Sequence, residues 1–410
     1  MPRHWPAPIA ARDAVPAAEP RLLTTTGVGV REPPVVLATR AAPGTPSGTF
    51  ERGRAWPLVD ALRGVCLVFM AVNHFGGPLA PLFWQPVGFV SVAEVFFLLS
   101  GFVAGHSCTR VGLRTGGDLR PWDAGRRARR IYKAHLSTVV LGALGLLASA
   151  ALLPGQSAWH SAWPALFETP LAAIALAAGL LALPQPLDIL PLYIVFVLLV
   201  PAIVRRCLAG RWRGVAMASI ATWCVSQATL GHLAHWVARL APVLHPPGFD
   251  LLGYQIVFVA GVLLGWHVTV SGHTRLLRLG RTPLAVTIAL AVVLLVLRRV
   301  VTGDSRLLEV LVGRPSFSPL RALNFALLVV LAVNARAWLA WTLQRWPLAL
   351  LGRQSIYAFS AHAVLLLWLR PWRGDIAARG PLVDVAAMLA FLGAMLAVAW
   401  VRERHRRAAV

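Results

Sequence analysis

Long apolar stretches recur between residues 57 and 401, separated by short polar or Arg-rich segments. A helix needs about 20 apolar residues to cross a hydrocarbon core of about 30 Å. The stretches that approach this length are 57–77, 87–107, 131–153, 189–204, 214–232, 252–270, 283–301, 321–343, 354–369 and 382–401. The pattern predicts an all-α fold, a polytopic transmembrane bundle of about ten spanning helices.

One more apolar stretch, 166–183, is interrupted by Pro170 and followed by Pro184. Basic loops of membrane proteins are expected on the cytoplasmic side. If 166–183 crossed the membrane, the basic segment from Arg205 to Arg213 would lie outside. We therefore predict a re-entrant or interfacial element at 166–183 and place both termini in the cytoplasm.

Composition supports a membrane protein and argues against other classes. Of the 410 residues, 57% are hydrophobic and 13% are charged, whereas soluble domains carry about 25% charged residues. The net charge is +23, but no basic-aromatic groove or finger spacing indicates nucleic-acid binding. We assign the charge to cytoplasmic loops beside anionic lipid, with the bilayer as partner. The four cysteines form no CxxC pair, and no metal site is predicted.

The chain divides into three parts by composition. Residues 1–55 are rich in Ala, Pro, Thr, Arg and Gly and contain no long apolar run, which predicts a disordered cytoplasmic tail. Residues 56–401 form the predicted membrane domain. Residues 402–410 form a predicted basic cytoplasmic tail.

The first apolar stretch contains ionisable residues, which are costly inside a bilayer and commonly functional. Arg63 and His74 are eleven residues apart, so on a helix they share one face and lie about 16 Å apart along its axis. Histidine is well suited to accept a proton near neutral pH, which makes His74 a candidate general base. Two plainer interpretations stay open: Arg63 as a snorkelling anchor, and His74 as a packing residue.

Glu94 lies inside the second apolar stretch, where an unpaired carboxylate is expensive. It is a candidate partner that orients His74 or pairs with Arg63. A purely structural ion pair is the alternative.

Four arginines precede the third stretch: Arg126, Arg127, Arg129 and Arg130. Guanidinium groups bind phosphate through paired hydrogen bonds, so the cluster is a candidate site for a phosphorylated cosubstrate. The alternative is that these charges anchor the helix on the cytoplasmic side.

Three further residues are candidates for binding a hydroxylated substrate: Asp188, Tyr193 and His362. Asp and Tyr side chains are suited to hydrogen bonds with sugar hydroxyls. Asp188 is equally suited to cap a helix that has Pro191 in its first turn. His362 lies in a stretch with several hydroxyl side chains, which also bond to neighbouring helices.

Several segments resemble known membrane acyltransferases. Asp60-Ala61-Leu62-Arg63-Gly64 followed by His74 resembles the first helix of type 3 membrane acyltransferases, which carries Arg, ten residues and then His. A narrower resemblance, to the OpgC family, rests on the segments Gly88–Phe102, Asp188–Tyr193, Tyr254–Gly261, Leu320–Phe325 and Leu351–His362. The similarity runs from about residue 54 to residue 401.

The OpgC resemblance implies a multi-pass enzyme of the bacterial inner membrane. Its members succinylate periplasmic glucans, so the implied reaction moves an acyl group from cytoplasmic acyl-CoA to a hydroxyl of such a glucan or another extracytoplasmic glycan. Acyl-CoA is then a cosubstrate, and no permanently bound cofactor is expected. The implied site residues are Arg63 with Arg126, Arg127, Arg129 and Arg130 for the CoA phosphates, His74 as general base beside Glu94, and Asp188, Tyr193 and His362 for the glycan.

A proton-coupled transporter is the main alternative, because carriers also contain buried Arg, Glu and His residues and broken helices. No internal repeat is evident in corresponding positions of the sequence, which counts against a carrier. An acyltransferase with a different acceptor, such as a lipid-linked sugar, also stays open.

Overall fold

The computed structural model describes residues 56–152, 162–181, 187–240, 249–272, 277–301 and 306–408. This part of the chain is helical and contains one isolated β-bridge, between Val87 and Val90, so the all-α prediction is confirmed. The predicted tail 1–55 lies outside the described residues. Residues 402–408 of the predicted basic tail continue the last helix.

The described helices follow one another along the chain. Up to residue 240 they are α1 (Pro57–Phe75), α2 (Ala80–Phe83), α3 (Val92–Arg114), α4 (Ala124–Leu152), α5 (Pro164–Glu168), α6 (Pro170–Ala178), α7 (Leu190–Leu208) and α8 (Trp212–Leu240). After residue 248 they are α9 (Leu251–Ser271), α10 (Arg281–Val300), α11 (Arg306–Val312), α12 (Pro319–Asn334), α13 (Arg336–Leu343), α14 (Trp346–Arg353), α15 (Ser355–Leu369), α16 (Arg373–Ala378) and α17 (Pro381–Ala408).

Seven of the described helices are long and apolar enough to cross a membrane: α1, α3, α4, α7, α9, α10 and α17. An eighth candidate is the pair α12 and α13, which pass the same test together but bend by 78°. The predicted single span 321–343 is therefore corrected to two helices that meet at Ala335. The count of about ten is not confirmed. Helix α15, for example, has 15 residues, fewer than a straight crossing needs.

The stretch 166–183 overlaps α5 and α6, which have five and nine residues. The two helices meet at Thr169, immediately before Pro170, and neither is long enough to cross a bilayer. His135 of α4 holds α6 in place, because its Nε2 lies 2.9 Å from the carbonyl oxygen of Ala177. A re-entrant or interfacial position for this element stays a prediction.

Helices α3 and α9 cross at small residues. The residues at the crossing are Gly101 and Gly105 in α3 and Gly261 and Gly265 in α9. A methyl group at any of the four would overlap with a backbone carbonyl oxygen of the opposite helix. Paired small-xxx-small patterns allow this close backbone approach in membranes, where packing rather than hydrophobic burial drives helix association. The crossing fixes the helix that carries Glu94 against the helix that carries Tyr254.

A second glycine crossing joins α1 to α14. A Cβ at Gly64 would overlap with the carbonyl oxygen of Leu348, and one at Gly352 would overlap with that of Asp60. The backbones are therefore in direct contact at this point. The contact brings Arg353, the last residue of α14, close to the part of α1 that carries Arg63.

Candidate functional site

Helix α1 carries both Arg63 and His74 and remains helical past both. Pro57 occupies the first turn, where its missing N–H is not needed. The helix ends at Gly76, whose φ of +83° is accessible to glycine at little cost. The side chains of Arg63 and His74 line two different cavities.

The cavity at Arg63, here called the arginine cavity, has a volume of about 330 Å³. Four guanidinium groups line it, those of Arg63, Arg127, Arg130 and Arg353. Most other side chains in its walls are apolar, and hydroxyl groups of Ser and Tyr complete the lining. A concave, largely apolar space with a few converging polar groups is typical of a ligand site.

Arg63 is held firmly but is not saturated with hydrogen bonds. Its Nη2 donates to Ser355 Oγ at 2.6 Å, and its guanidinium carbon lies 5.3 Å from the centre of the Phe96 ring. Its Nε is buried and has no hydrogen-bond partner among the described residues. Unsatisfied buried donors of this kind are rare.

The predicted arginine cluster divides into two pairs. Arg127 and Arg130, three residues apart and therefore on one helix face, line the arginine cavity. Arg127 is positioned by Trp122, since its Nε donates to the Trp122 carbonyl oxygen at 3.1 Å and its guanidinium lies 4.4 Å from the indole. Arg126 instead forms an exposed ion pair with Asp123 at 3.0 Å, and Arg129 is exposed away from the cavity lining.

Tyr193 also lines the arginine cavity, although the sequence indicated it as a residue for the glycan. Its ring stacks on that of Phe97, with the ring centres 4.7 Å apart. The structure thus brings Tyr193 together with the arginines. Asp188 lies in the 3₁₀ turn Leu187–Ile189, and its side chain lies outside the described part of the chain.

The second cavity, here called the histidine cavity, has a volume of about 50 Å³ and contains His74. His74 Nδ1 lies 3.1 Å from His362 Nε2, and the two rings stack at 18° with their centres 5.1 Å apart. His362 is 1% exposed and packs against the rings of Phe359 and Phe391. Because Nδ1 of His74 is engaged in this pair, Nε2 is the nitrogen left for a substrate.

Glu94 belongs to a separate buried network. Its carboxylate forms an ion pair with Arg321, from Nη1 to Oε1 at 2.9 Å, and Tyr254 Oη lies 3.2 Å from the same oxygen. Its other oxygen accepts from the backbone N–H of Ser91 at 2.9 Å, which is one of the two hydrogen bonds of a capping box at the start of α3. The same oxygen also accepts from the Ser91 hydroxyl. Within the described residues, none of its hydrogen bonds goes to His74 or Arg63, the partners considered from the sequence.

Besides Arg353, which lines the arginine cavity, two arginines that the sequence interpretation did not single out are important in the structure. Arg321 holds the end of α11, since its Nε and Nη2 donate to the Val312 carbonyl oxygen at 3.2 and 3.1 Å. Arg314, in the loop that follows, lines the histidine cavity and lies 4.5 Å from the Phe249 ring. Its Nε is buried without a partner in the described structure. The sequence contained a signal for both residues, because each is a cation beside an apolar stretch.

The two cavities adjoin at three apolar side chains that line both: Met70, Ile189 and Phe359. Each is buried, at 5%, 4% and 4% exposure. Met70 lies on α1, one turn before His74. The cavity with the cluster of arginines and the cavity with the histidine are thus separated by one layer of side chains.

Comparison with known proteins places this architecture in a family. A protein-family model described as OpgC protein matches residues 54–407. No curated protein and no solved structure matches the sequence. Among the described residues, no group of three or more His, Cys, Asp or Glu side chains is arranged to hold a metal ion.

Proposed function

We propose, from the premise that this chain belongs to the OpgC protein family, that the protein is a membrane O-acyltransferase. It moves an acyl group, such as succinyl, from acyl-CoA to a hydroxyl group of a periplasmic glucan or another extracytoplasmic glycan. The observation that carries the proposal is the pair of adjoining cavities, one lined by arginines and one by His74.

The arginine cavity is the proposed donor site. Arg127, Arg130 and Arg353 bind the phosphates of acyl-CoA, because guanidinium groups match phosphate oxygens bidentately. Its volume of about 330 Å³ lies within the usual range of ligand pockets, about 300–1,000 Å³. The apolar walls accept the pantetheine arm, and the Arg63 guanidinium, which lines the cavity, donates to one of its carbonyl groups.

His74 is the proposed general base. Its Nε2 takes the proton of the acceptor hydroxyl while the oxygen attacks the thioester carbonyl carbon. The C–O bond of the ester forms, the C–S bond breaks, and the proton passes from His74 to the leaving thiolate of CoA. A positioned base of this kind contributes about 10²–10⁴-fold to the rate.

His362 and Arg314 assist the same step. His362 fixes the ring of His74 through the contact between Nε2 and Nδ1 at 3.1 Å. Arg314 stabilises the negative charge that develops on the carbonyl oxygen, which is commonly a large contribution to acyl transfer. Support for its role comes from its position in the same cavity as His74.

The proposed orientation places the arginine cavity on the cytoplasmic side of the inner membrane and the acceptor on the periplasmic side. Both termini are then cytoplasmic, in agreement with the excess of arginine in the loops. Donor and acceptor on opposite sides explain why the reaction needs a protein that spans the membrane.

Mass spectrometry of periplasmic and surface glycans tests the proposal. Cells that produce the protein should carry an acyl mass increment on a glycan, and cells without the gene, or with His74→Ala at equal membrane abundance, should lack it. Glycans that are the same in all three strains would contradict the proposal. In that case, labelled acyl groups that cross the membrane without becoming attached would favour a transporter.

A further inference from the structure

The loop between α1 and α3 brings a tryptophan to the histidine cavity. After α1 ends at Gly76, the short helix α2 packs back on it, with the ring centre of Phe83 4.7 Å from that of Phe69. Trp84 follows directly as the C-cap of α2. It lines the same cavity as His74, so this turn places a large aromatic side chain beside the proposed general base.

Trp84 is held by its neighbours but is not buried. The next residue, Gln85, has a φ of +49°, a conformation that is costly for a residue other than glycine and persists where other contacts hold it. One such contact is the hydrogen bond from Arg298 Nε of α10 to Gln85 Oε1 at 2.8 Å. Trp84 nevertheless stays 36% exposed. The loop therefore presents an indole ring to the cavity with part of its surface uncovered.

Polar side chains surround this ring in the cavity. Asn73, which precedes His74 in α1, and Arg314 both line it, and the Arg314 guanidinium lies 5.4 Å from the centre of the Trp84 ring. An asparagine amide can donate and accept hydrogen bonds, as a sugar hydroxyl can. A pyranose ring carries C–H groups on its faces and hydroxyls around its edge. A flat indole beside an amide therefore suits the face and the edge of one sugar ring.

We propose that Trp84 and Asn73 form the subsite that binds the acceptor: one pyranose ring stacks on the indole of Trp84, and Asn73 forms a hydrogen bond with one of its hydroxyls. Another hydroxyl of the same sugar lies within reach of His74. The inference rests on the proposed function and adds the residues that recognise the glycan. Tyr193, predicted for this role from the sequence, lines the other cavity.

The test measures KM and kcat for both substrates with the full-length protein in membranes. The substrates are the acyl-CoA that matches the mass increment found on the glycan and the unacylated glycan purified from cells that lack the gene. We expect Trp84→Ala to raise KM for the glycan by about tenfold, because the stacked aromatic partner is lost, and to leave KM for acyl-CoA unchanged. Trp84→Phe keeps an aromatic ring and should restore most of the affinity. Asn73→Ala should raise KM for the glycan by about two- to tenfold.

Trp368→Ala is the matched control. Trp368 is exposed to nearly the same extent, 38%, but lines neither cavity, so both KM values should equal those of the wild type. The subsite is refuted if Trp84→Ala keeps the wild-type KM for the glycan or if Trp368→Ala raises it equally. It is also refuted by a loss confined to kcat, since Trp84 would then only support Arg314.

KM does not depend on how much of the protein folds. If Trp84→Ala fails to fold at all, Trp84→Phe and Asn73→Ala decide, and wild-type KM values for the glycan in both variants would overturn the proposal. A wild-type protein that acylates no glycan would instead refute the proposed function.

Discussion

Two buried polar clusters in this bundle differ in how completely their hydrogen bonds are satisfied. Around Glu94, the ion pair with Arg321 and the contacts with Tyr254 and Ser91 leave no carboxylate oxygen without a partner. Arg63 and Arg314, by contrast, each have a buried Nε without a partner in the described structure. Arg63 lines the arginine cavity, and Arg314 lines the histidine cavity. The closed cluster around Glu94 connects helices through satisfied hydrogen bonds, whereas the unsatisfied donors belong to residues of the proposed donor and acceptor sites.

The largest expected effect is at His74, which lines the histidine cavity together with Arg314. Replacing His74 with Ala should lower acyl transfer by about 10²–10⁴-fold, because the proposed general base is lost. The thermal unfolding temperature should fall slightly, because the buried His362 loses its hydrogen-bond partner. The measurements are initial rates in membranes at equal abundance and a melting curve of the purified protein. Full activity in this variant would remove His74 from the mechanism.

Substitutions in the closed cluster around Glu94 should lower the stability of the folded protein. Arg321→Met leaves the Glu94 carboxylate buried without its counter-ion, which commonly costs about 3–5 kcal/mol. The double variant Glu94→Gln with Arg321→Met should lose less, because no unpaired charge stays behind. Both effects are measured as thermal unfolding of the purified protein.

Arg120→Gln provides the control for charge removal, because it breaks an exposed ion pair with Asp118 and should leave unfolding unchanged. Equal unfolding temperatures for Arg321→Met and wild type would show that the buried pair does not stabilise the bundle.

The divided arginine cluster gives a sharper comparison within one helix. Arg127→Gln with Arg130→Gln should raise the KM for acyl-CoA by about 10- to 100-fold, since charge-assisted hydrogen bonds contribute about 1.5–3 kcal/mol. Arg126→Gln with Arg129→Gln removes the same charge from positions outside the cavity lining and should leave KM near the wild-type value. Equal increases for both pairs would assign the effect to general electrostatic attraction rather than to a site.

The smallest expected effect concerns the histidine pair. His362→Phe keeps an aromatic ring beside His74 but removes the hydrogen bond at 3.1 Å. We expect kcat to fall by about two- to tenfold, the usual net value of one hydrogen bond, while KM for acyl-CoA stays unchanged. Steady-state kinetics with varied donor separate the two parameters, and a change confined to KM would instead give His362 a binding role.

The sequence was informative where a single helix determines the geometry. Arg63 and His74 are eleven residues apart on α1, so helical spacing alone relates them. The partners of Glu94 were beyond such reasoning, because Arg321 is 227 residues away along the chain. The same holds for His74 and His362, which are separated by 288 residues. Hydropathy likewise gave no sign of the 78° bend that divides the stretch 321–343, because both halves are apolar.

The glycine crossing of α3 and α9 also bears on how the protein responds to the thickness of its bilayer. Mismatch between helix length and hydrocarbon thickness is relieved by tilting, and tilt is set by packing against neighbouring helices. Of the 18-residue apolar segment of α3, 61% is buried inside the protein, whereas only 11% of the corresponding segment of α10 is buried. Thicker or thinner lipid should therefore tilt α10 first, and the pair α3 and α9, with Glu94 and Tyr254, should keep its geometry.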